Sequence, residues 1–548
     1  MRGGACVVVR GRESRPHQHS AKNGRRQAVD TNCKQEIDNM SDTVNTGFIL
    51  DMQHKLYRWS AANPEKKFVD LFNIVCDRRT LNAAWQRLAR NKGSQTPGTD
   101  GVTRAKVQER PDGINGFVEE ILKDLRDGTY QPQPVRQRLI PKPGKPGKFR
   151  PLGIPTLRDR LIQMALKMVL EPIFEADFYP TSYGFRPHRS THDALARSQF
   201  RLHPTRGGAS STRYVIEGDI KGCFDAIDHH VLMERVRRRI KDRKVLRLVL
   251  AFLKADIMIE GNRKHPVTGT PQGGVISPFL ANIYLTAIDE RYKRWIPNPQ
   301  EESAAKANAR AKHDRKCGYP VFYMVRYADD FVVFVQGTRE DAEGERHALA
   351  QFLREELRME LSMEKTRITN VREGFDFLGY RVAQKRAVIT KRHAGKLFIP
   401  KSKLKLLRHK IKVKVKETPT GRSLTDLINS LNSLIIGWRN YYRYATRAWK
   451  EFAKLDWWLD RRIMLWVRRK HNKASWADIR RLYGVSRSGK RKRWQKGSKK
   501  IALFAEAKYK RFPDRGVRIP NGWNAEPNEW FHKGADKFWE ATNTLAKL

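Results

Sequence analysis

The stretch Met324–Val335, Met-Val-Arg-Tyr-Ala-Asp-Asp-Phe-Val-Val-Phe-Val, constrains this chain more than any other. Two apolar runs rich in aromatic and β-branched residues flank two adjacent carboxylates, which predicts a β-hairpin with Asp329 and Asp330 at the bend. Adjacent anions repel and each loses hydration on burial, so the pair is either an exposed acidic turn or a site that a cation neutralises. Carboxylate oxygens suit Mg²⁺, which keeps its other positions for water and phosphate. A second strand-like run, Tyr214-Val-Ile-Glu-Gly-Asp-Ile, ends in Asp219. If the two strands lie side by side, three carboxylates share one sheet edge. That is enough to hold two divalent ions roughly 3.5–4 Å apart, the arrangement that supports nucleotidyl transfer.

The charge balance narrows the partner. Lys and Arg number 109 against 58 Asp and Glu, a formal charge of +51. Such an excess opposes a compact state unless a polyanion shares it, so the expected partner is nucleic acid gripped through its phosphates. A membrane surface is the second choice, but no apolar run approaches the roughly 18–20 residues of a spanning helix. Cys6, Cys33, Cys76, Cys223 and Cys317 are scattered without a Cys-x-x-Cys, against both a disulfide framework and a zinc site. A reducing, cytoplasmic compartment is the expectation.

Tyr327-Ala-Asp-Asp330 resembles the signature of reverse transcriptases, and the surrounding blocks resemble, in order, those of group II intron-encoded reverse transcriptase/maturases. They are Arg150-Pro-Leu-Gly-Ile-Pro, Tyr183-Gly-Phe-Arg-Pro, Asp219 with Phe224-Asp225, Gly269-Thr-Pro-Gln-Gly-Gly, the Asp pair, Leu361-Ser-Met-Glu-Lys-Thr, Phe377-Leu-Gly-Tyr and Gly437-Trp-Arg-Asn-Tyr-Tyr. The resemblance implies an α+β right-hand polymerase, with fingers and an antiparallel-sheet palm, then an all-α thumb/maturase domain and a basic C-terminal segment. The expected boundaries are a disordered basic tail over 1–55, an N-terminal extension over 56–110, fingers and palm over 111–395, thumb over 396–475, and a basic nucleic-acid-binding region over 476–548. The implied activity is RNA-directed DNA synthesis with two Mg²⁺, extending a DNA primer with dNTPs on an RNA template, together with help to intron RNA splicing and mobility. By resemblance Asp219, Asp329 and Asp330 form the metal site with the Ile220 carbonyl. Lys142, Arg150, Gln272 and Lys365 serve the nucleotide, and Arg186, Leu378 and Gly379 the nucleic acid.

Two other readings stay open: a splicing cofactor that binds RNA without catalysis, and a reverse transcriptase domesticated for phage defence or DNA repair. No His-Asn-His arrangement with Cys pairs follows the basic C-terminal run, so the DNA-cleaving domain of many relatives is expected to be missing. Nucleoprotein of a bacterial type is the expected setting, and Met1 and Met40 are alternative starts.

Along the chain, Phe68 to Leu88 has helical spacing with a break near Arg78. Ile140–Arg150 is a basic loop whose Pro and Gly let cations fold over a triphosphate; a solvated hairpin has the same pattern. Thr156 and Asp159 read as a capping box ahead of a core helix. Phe224, five residues after Asp219, reads either as a steric gate against a 2′-OH or as core packing. Residues 297–318 read as a polar insertion, and Phe375–Tyr380 alternates as a strand. Ser423 and Asp426 form another box, ahead of a stripe from Leu424 to Trp438. Trp438 and Tyr441 either stack on bases or pack in the core. Residues 401–548 hold 38 Lys and Arg against 12 Asp and Glu, a net +26. Within them Arg491, Arg493 and Trp494 combine cations with a ring suited to single-stranded nucleic acid.

Overall fold

The computed structural model describes residues 47–141, 147–203, 211–259, 262–266, 268–271, 273–296, 302–386, 393–483, 494–507, 511–516, 519–520 and 522–523. Helices open the described residues: α1 (47–62), α2 (Phe72–Val75), α3 (Arg78–Ala89), α4 (Arg104–Gln108) and α5 (Gly113–Asp127). Residues 47–55, expected in a disordered tail, are helical instead. Ile49 and Leu56 are buried, and Gln53 Nε2 donates to the Met168 carbonyl at 2.7 Å. The helical pattern expected from Phe68 is also shortened. Phe68 bridges Ile240, and the Asp242 carboxylate accepts the Leu71 and Phe72 amides, so helix begins only at Phe72. The break near Arg78 is made by Asp77, whose side chain accepts the Arg79 amide.

The fingers hairpin pairs β1 (Val135–Pro141) with β2 (Phe149–Ile154), from Arg136↔Ile154 to Pro141↔Phe149. The core helix α6 (Leu157–Glu175) follows, with Thr156 accepting the Asp159 amide. Next come α7 (Thr191–Arg201), β3 (Tyr214–Gly218), α8 (His229–Arg237), α9 (Arg243–Lys254), β4 (Ile257–Ile259) and β5 (Asn262–Lys264). The last two strands complete a sheet ordered β2-β1-β4-β5. Then α10 (Ser277–Arg291), α11 (Ala304–Lys316), β6 (Val321–Tyr327), β7 (Asp330–Gln336), α12 (Arg339–Leu357) and β8 (Arg367–Asn370) finish the palm. Its sheet is ordered β6-β7-β3-β8 and is antiparallel throughout. The expected polar insertion is helical over Ala304–Lys316.

The strand expected over Phe375–Tyr380 is two strands. β9 (Phe375–Phe377) turns at Leu378-Gly379 into β10 (Tyr380–Arg386), which pairs with β11 (His393–Phe398). Both turn residues have positive φ, +46° and +77°, the two-residue geometry that reverses a chain within a hairpin. Four helices form the thumb: α13 (Lys401–Glu417), α14 (Leu424–Tyr442), α15 (Ala448–Lys470) and α16 (Trp476–Leu482). Ser423 and Asp426 make the expected box at the start of α14, and Leu424, Leu427, Ile428, Leu431 and Ile435 face the core.

A two-stranded hairpin, β12 (Gln495–Lys496) and β13 (Lys499–Lys500), then begins a strap within the region expected to bind nucleic acid. The strap buries Ile501, Leu503 and Phe504 on the thumb. Further on, Arg515 pairs with Asp193 of the palm at 2.8 Å, and the Trp523 carbonyl meets His54 Nδ1 of α1 at 2.8 Å. Apolar burial, the Arg515 ion pair and the hydrogen bond at His54 hold this segment against the thumb, the palm and α1.

Candidate active site

The palm sheet brings two of the three carboxylates together through register alone. Gly218 on β3 pairs with Phe331 on β7, so one step further Asp219 stands opposite Asp330. Tyr327 pairs with Asp330 across the β6–β7 hairpin, leaving Ala328 and Asp329 as the turn. Glycine is required at 218, where a Cβ would lie 2.1 Å from the Phe331 ring.

Packing then makes the cluster electrostatically tense. Loss of hydration at the crowded sheet edge first, then Asp329 and Asp219, push the Asp330 carboxyl up to about 6, with Arg150 opposing, although the residue stays open to solvent on its outer side. Burial also raises Asp329, again against the pull of Arg150. The fingers cation on β2 therefore acts on both acids. Asp219 is turned to Lys365, whose Nζ lies 2.7 Å from Oδ2. Among the described residues no three carboxylate, imidazole or thiol groups are gathered into a ready metal cage. The donors are nonetheless the hard oxygen anions a divalent ion prefers, and their mutual repulsion is what such an ion relieves.

Ile220 bridges Leu361 as a wide antiparallel pair: Ser362 donates to the Asp219 carbonyl and Lys221 to the Glu360 carbonyl. The Ile220 carbonyl therefore points away from that neighbour, on the β7 side. Phe224 is half-buried, and its carbonyl accepts the Thr270 amide. Gly269 and Gly273 have φ of +93° and +121°. A Cβ at 273 would lie 2.4 Å from the Gly153 carbonyl, so this loop is pressed against β2. Lys142, Gln272, Arg491 and Arg493 lie outside the described residues.

Four expected nucleic-acid contacts are placed otherwise. Arg186 is buried, paired with Glu175 at 2.7 Å, and it donates to the Tyr179 and Ser182 carbonyls, so its guanidinium is consumed inside the palm. Trp494 is buried with its indole donating to Asp460 at 2.8 Å. Trp438 packs against Tyr442 and Phe504, with centroids 4.5 and 5.6 Å away. Tyr441 donates to the Leu378 carbonyl at 2.6 Å and Tyr442 to that of Gly379 at 3.1 Å. The thumb thus holds the Leu378-Gly379 turn, and Tyr441 has no free hydroxyl.

A buried network behind the acids escaped the sequence reading. Arg326, with a fully buried side chain, pairs with the equally buried Asp289 and donates to Asn282 Oδ1 and to the Ala328 carbonyl, at 3.2 and 3.1 Å. Asn282 Nδ2 in turn donates to the Gly184 carbonyl at 2.7 Å. Ala328 has φ of +57°, and a Cβ on Gly184 would lie 2.3 Å from its amide. The strained Ala328-Asp329 turn is held by neighbours rather than by its own preference. The available signal was an Arg inside an apolar strand.

An antiparallel palm ending in carboxylates, faced by a basic fingers hairpin and followed by a helical thumb, defines a template-directed polynucleotide polymerase. Residues 140–382 match the family described as reverse transcriptase (RNA-dependent DNA polymerase), and 404–484 match the group II intron, maturase-specific domain. The chain is 40% identical over 352 residues to protein YkfC of Escherichia coli, covering 62% of this chain and 89% of that one. It is 36% identical over 452 residues to the group II intron-encoded protein LtrA of Lactococcus lactis, covering 71% and 72%. An uncharacterized 91 kDa protein in the cob intron of Schizosaccharomyces pombe is 32% identical over 435 residues, covering 68% and 52%. The chain belongs to the group II intron-encoded reverse transcriptase/maturase family. It is an RNA-directed DNA polymerase and maturase, and its catalytic domain implies divalent-metal catalysis. No helix among the described residues is long and apolar enough to cross a membrane.

Proposed function

We propose that Asp219, Asp329 and Asp330, with the Ile220 carbonyl, hold two Mg²⁺ ions for extension of a DNA primer by dNTPs on an RNA template. When bound, such ions supply activation of the attacking hydroxyl and charge stabilisation of the leaving pyrophosphate. The chain's own groups do the rest. Arg150, together with Lys142, screens the triphosphate. Phe224 excludes a ribose 2′-OH, with Gln272 beside the sugar, and the Leu378-Gly379 turn supports the primer end. Lys365 holds Asp219 by ion pairing until the nucleotide and its ions arrive. Intron RNA is the proposed second partner, bound through the thumb and its excess of cations.

The observation that carries this reading is the register that sets Asp219 opposite Asp330. Primer extension on an RNA template, with purified wild type beside Asp329→Ala and Asp330→Asn, tests it. Loss of product in both variants, with RNA binding kept, is expected. Equal synthesis by all three would remove the metal-site assignment.

A further inference from the structure

We infer that the outward arc of α15 is a base-stacking platform for unpaired RNA nucleotides, with Trp449 and Trp457 as its ring faces. Both indoles are exposed, 58% and 63%. The inner side of the same helix already buries Phe452, Leu455, Leu459, Ile463, Trp466 and Val467, so the outer rings are surplus to the thumb core. With Leu465 also exposed beyond them, the two rings belong to a run of apolar groups along one helix rather than to the single ones any surface shows.

The setting of those rings says what they contact. Lys450 Nζ lies 5.4 Å from the Trp449 ring centroid and the Arg461 guanidinium 5.0 Å from that of Trp457. Lys454 and Arg468 are exposed on the same helix. Seven Lys and Arg stand against three acids along this helix, which therefore keeps a net positive charge. Asp456 accepts the Phe504 and Ala505 amides of the strap, Asp460 accepts the Trp494 indole, and Glu451 pairs with Lys454 at 3.0 Å. The strap turns two of the three carboxylates toward itself, and the outer arc keeps the rings and an excess of cations.

Cations beside open ring faces bind phosphate and base at once. An apolar protein partner has no use for the cations, and a duplex hides its base faces, so unpaired nucleotides fit best. Eight residues along a helix set the two rings about 12 Å apart in rise, a span of a few nucleotides. This reading does not rest on the metal site.

Equilibrium binding of the full chain in EDTA tests it without catalysis. The probes are a fluorescein-labelled oligoriboadenylate and an abasic ribose-phosphate strand of the same length. Trp449→Ala and Trp457→Ala are each expected to weaken oligoriboadenylate binding about 5- to 100-fold while abasic binding holds. The Phe variants, which keep a ring, should bind as wild type does and exclude misfolding as the cause. Unchanged oligoriboadenylate affinity, or equal loss on both strands, overturns the platform. Loss of self-association without change in RNA binding also overturns it, and gives the face to a second copy of the chain.

Discussion

Replacing Arg326 by Met isolates what the buried network does for the catalytic turn. The Arg326 and Asp289 side chains are both fully buried and in contact, so the substitution strands a carboxylate in the palm. Breaking such a pair from one side costs roughly 3–5 kcal/mol, because the remaining charge keeps its desolvation penalty and loses its partner. Burial already raises Asp289 against the pull of Arg326, and loss of the guanidinium raises it further. The substitution also frees the Ala328 carbonyl from its 3.1 Å bond, loosening a turn held at φ +57°. Adding Asp289→Leu removes the stranded charge and should restore most of the stability, since an apolar pair of similar volume is often neutral. It cannot restore the bond to Ala328. The expected signature, read by denaturant unfolding beside single-turnover primer extension, is recovered stability with unrecovered rate. A single variant losing under about 1 kcal/mol, or a double variant recovering both, refutes a positioning role.

Three further outcomes follow from the same geometry. A carboxyl raised from 3.8 to about 6 binds its proton more tightly folded than unfolded, so Asp330 makes the ion-free fold lose stability as pH rises from about 4 to about 6. Added Mg²⁺ should restore it above that range, and thermal melts with and without the ion at both ends of the window check this. Gly184→Ala places a Cβ 2.3 Å from the Ala328 amide, a backbone clash that should abolish extension while leaving RNA binding near wild type. Phe224→Ala should raise ribonucleotide over deoxynucleotide incorporation by about 10- to 200-fold, measured as the ratio of kcat/KM values, and an unchanged ratio returns Phe224 to core packing.

Local chemistry carried much of this protein on the surface of its sequence. The Ser423–Asp426 and Thr156 caps, the α14 apolar stripe and the β6–β7 hairpin rest on side chains a few residues apart, where spacing alone decides which groups meet. What depends on distant partners was not legible. Arg186 read as a nucleic-acid contact because nothing near it in sequence announces Glu175 as its buried partner. Trp494 followed a run of cations, yet its indole was claimed by Asp460 on α15, while Trp449 and Trp457 on that helix stayed in water. Periodicity decides which face of an element is apolar, and so the sequence by itself determined the elements and named their acids. Which polar group satisfies which is settled only when burial makes an unpaired charge costly, and the tertiary structure decided that.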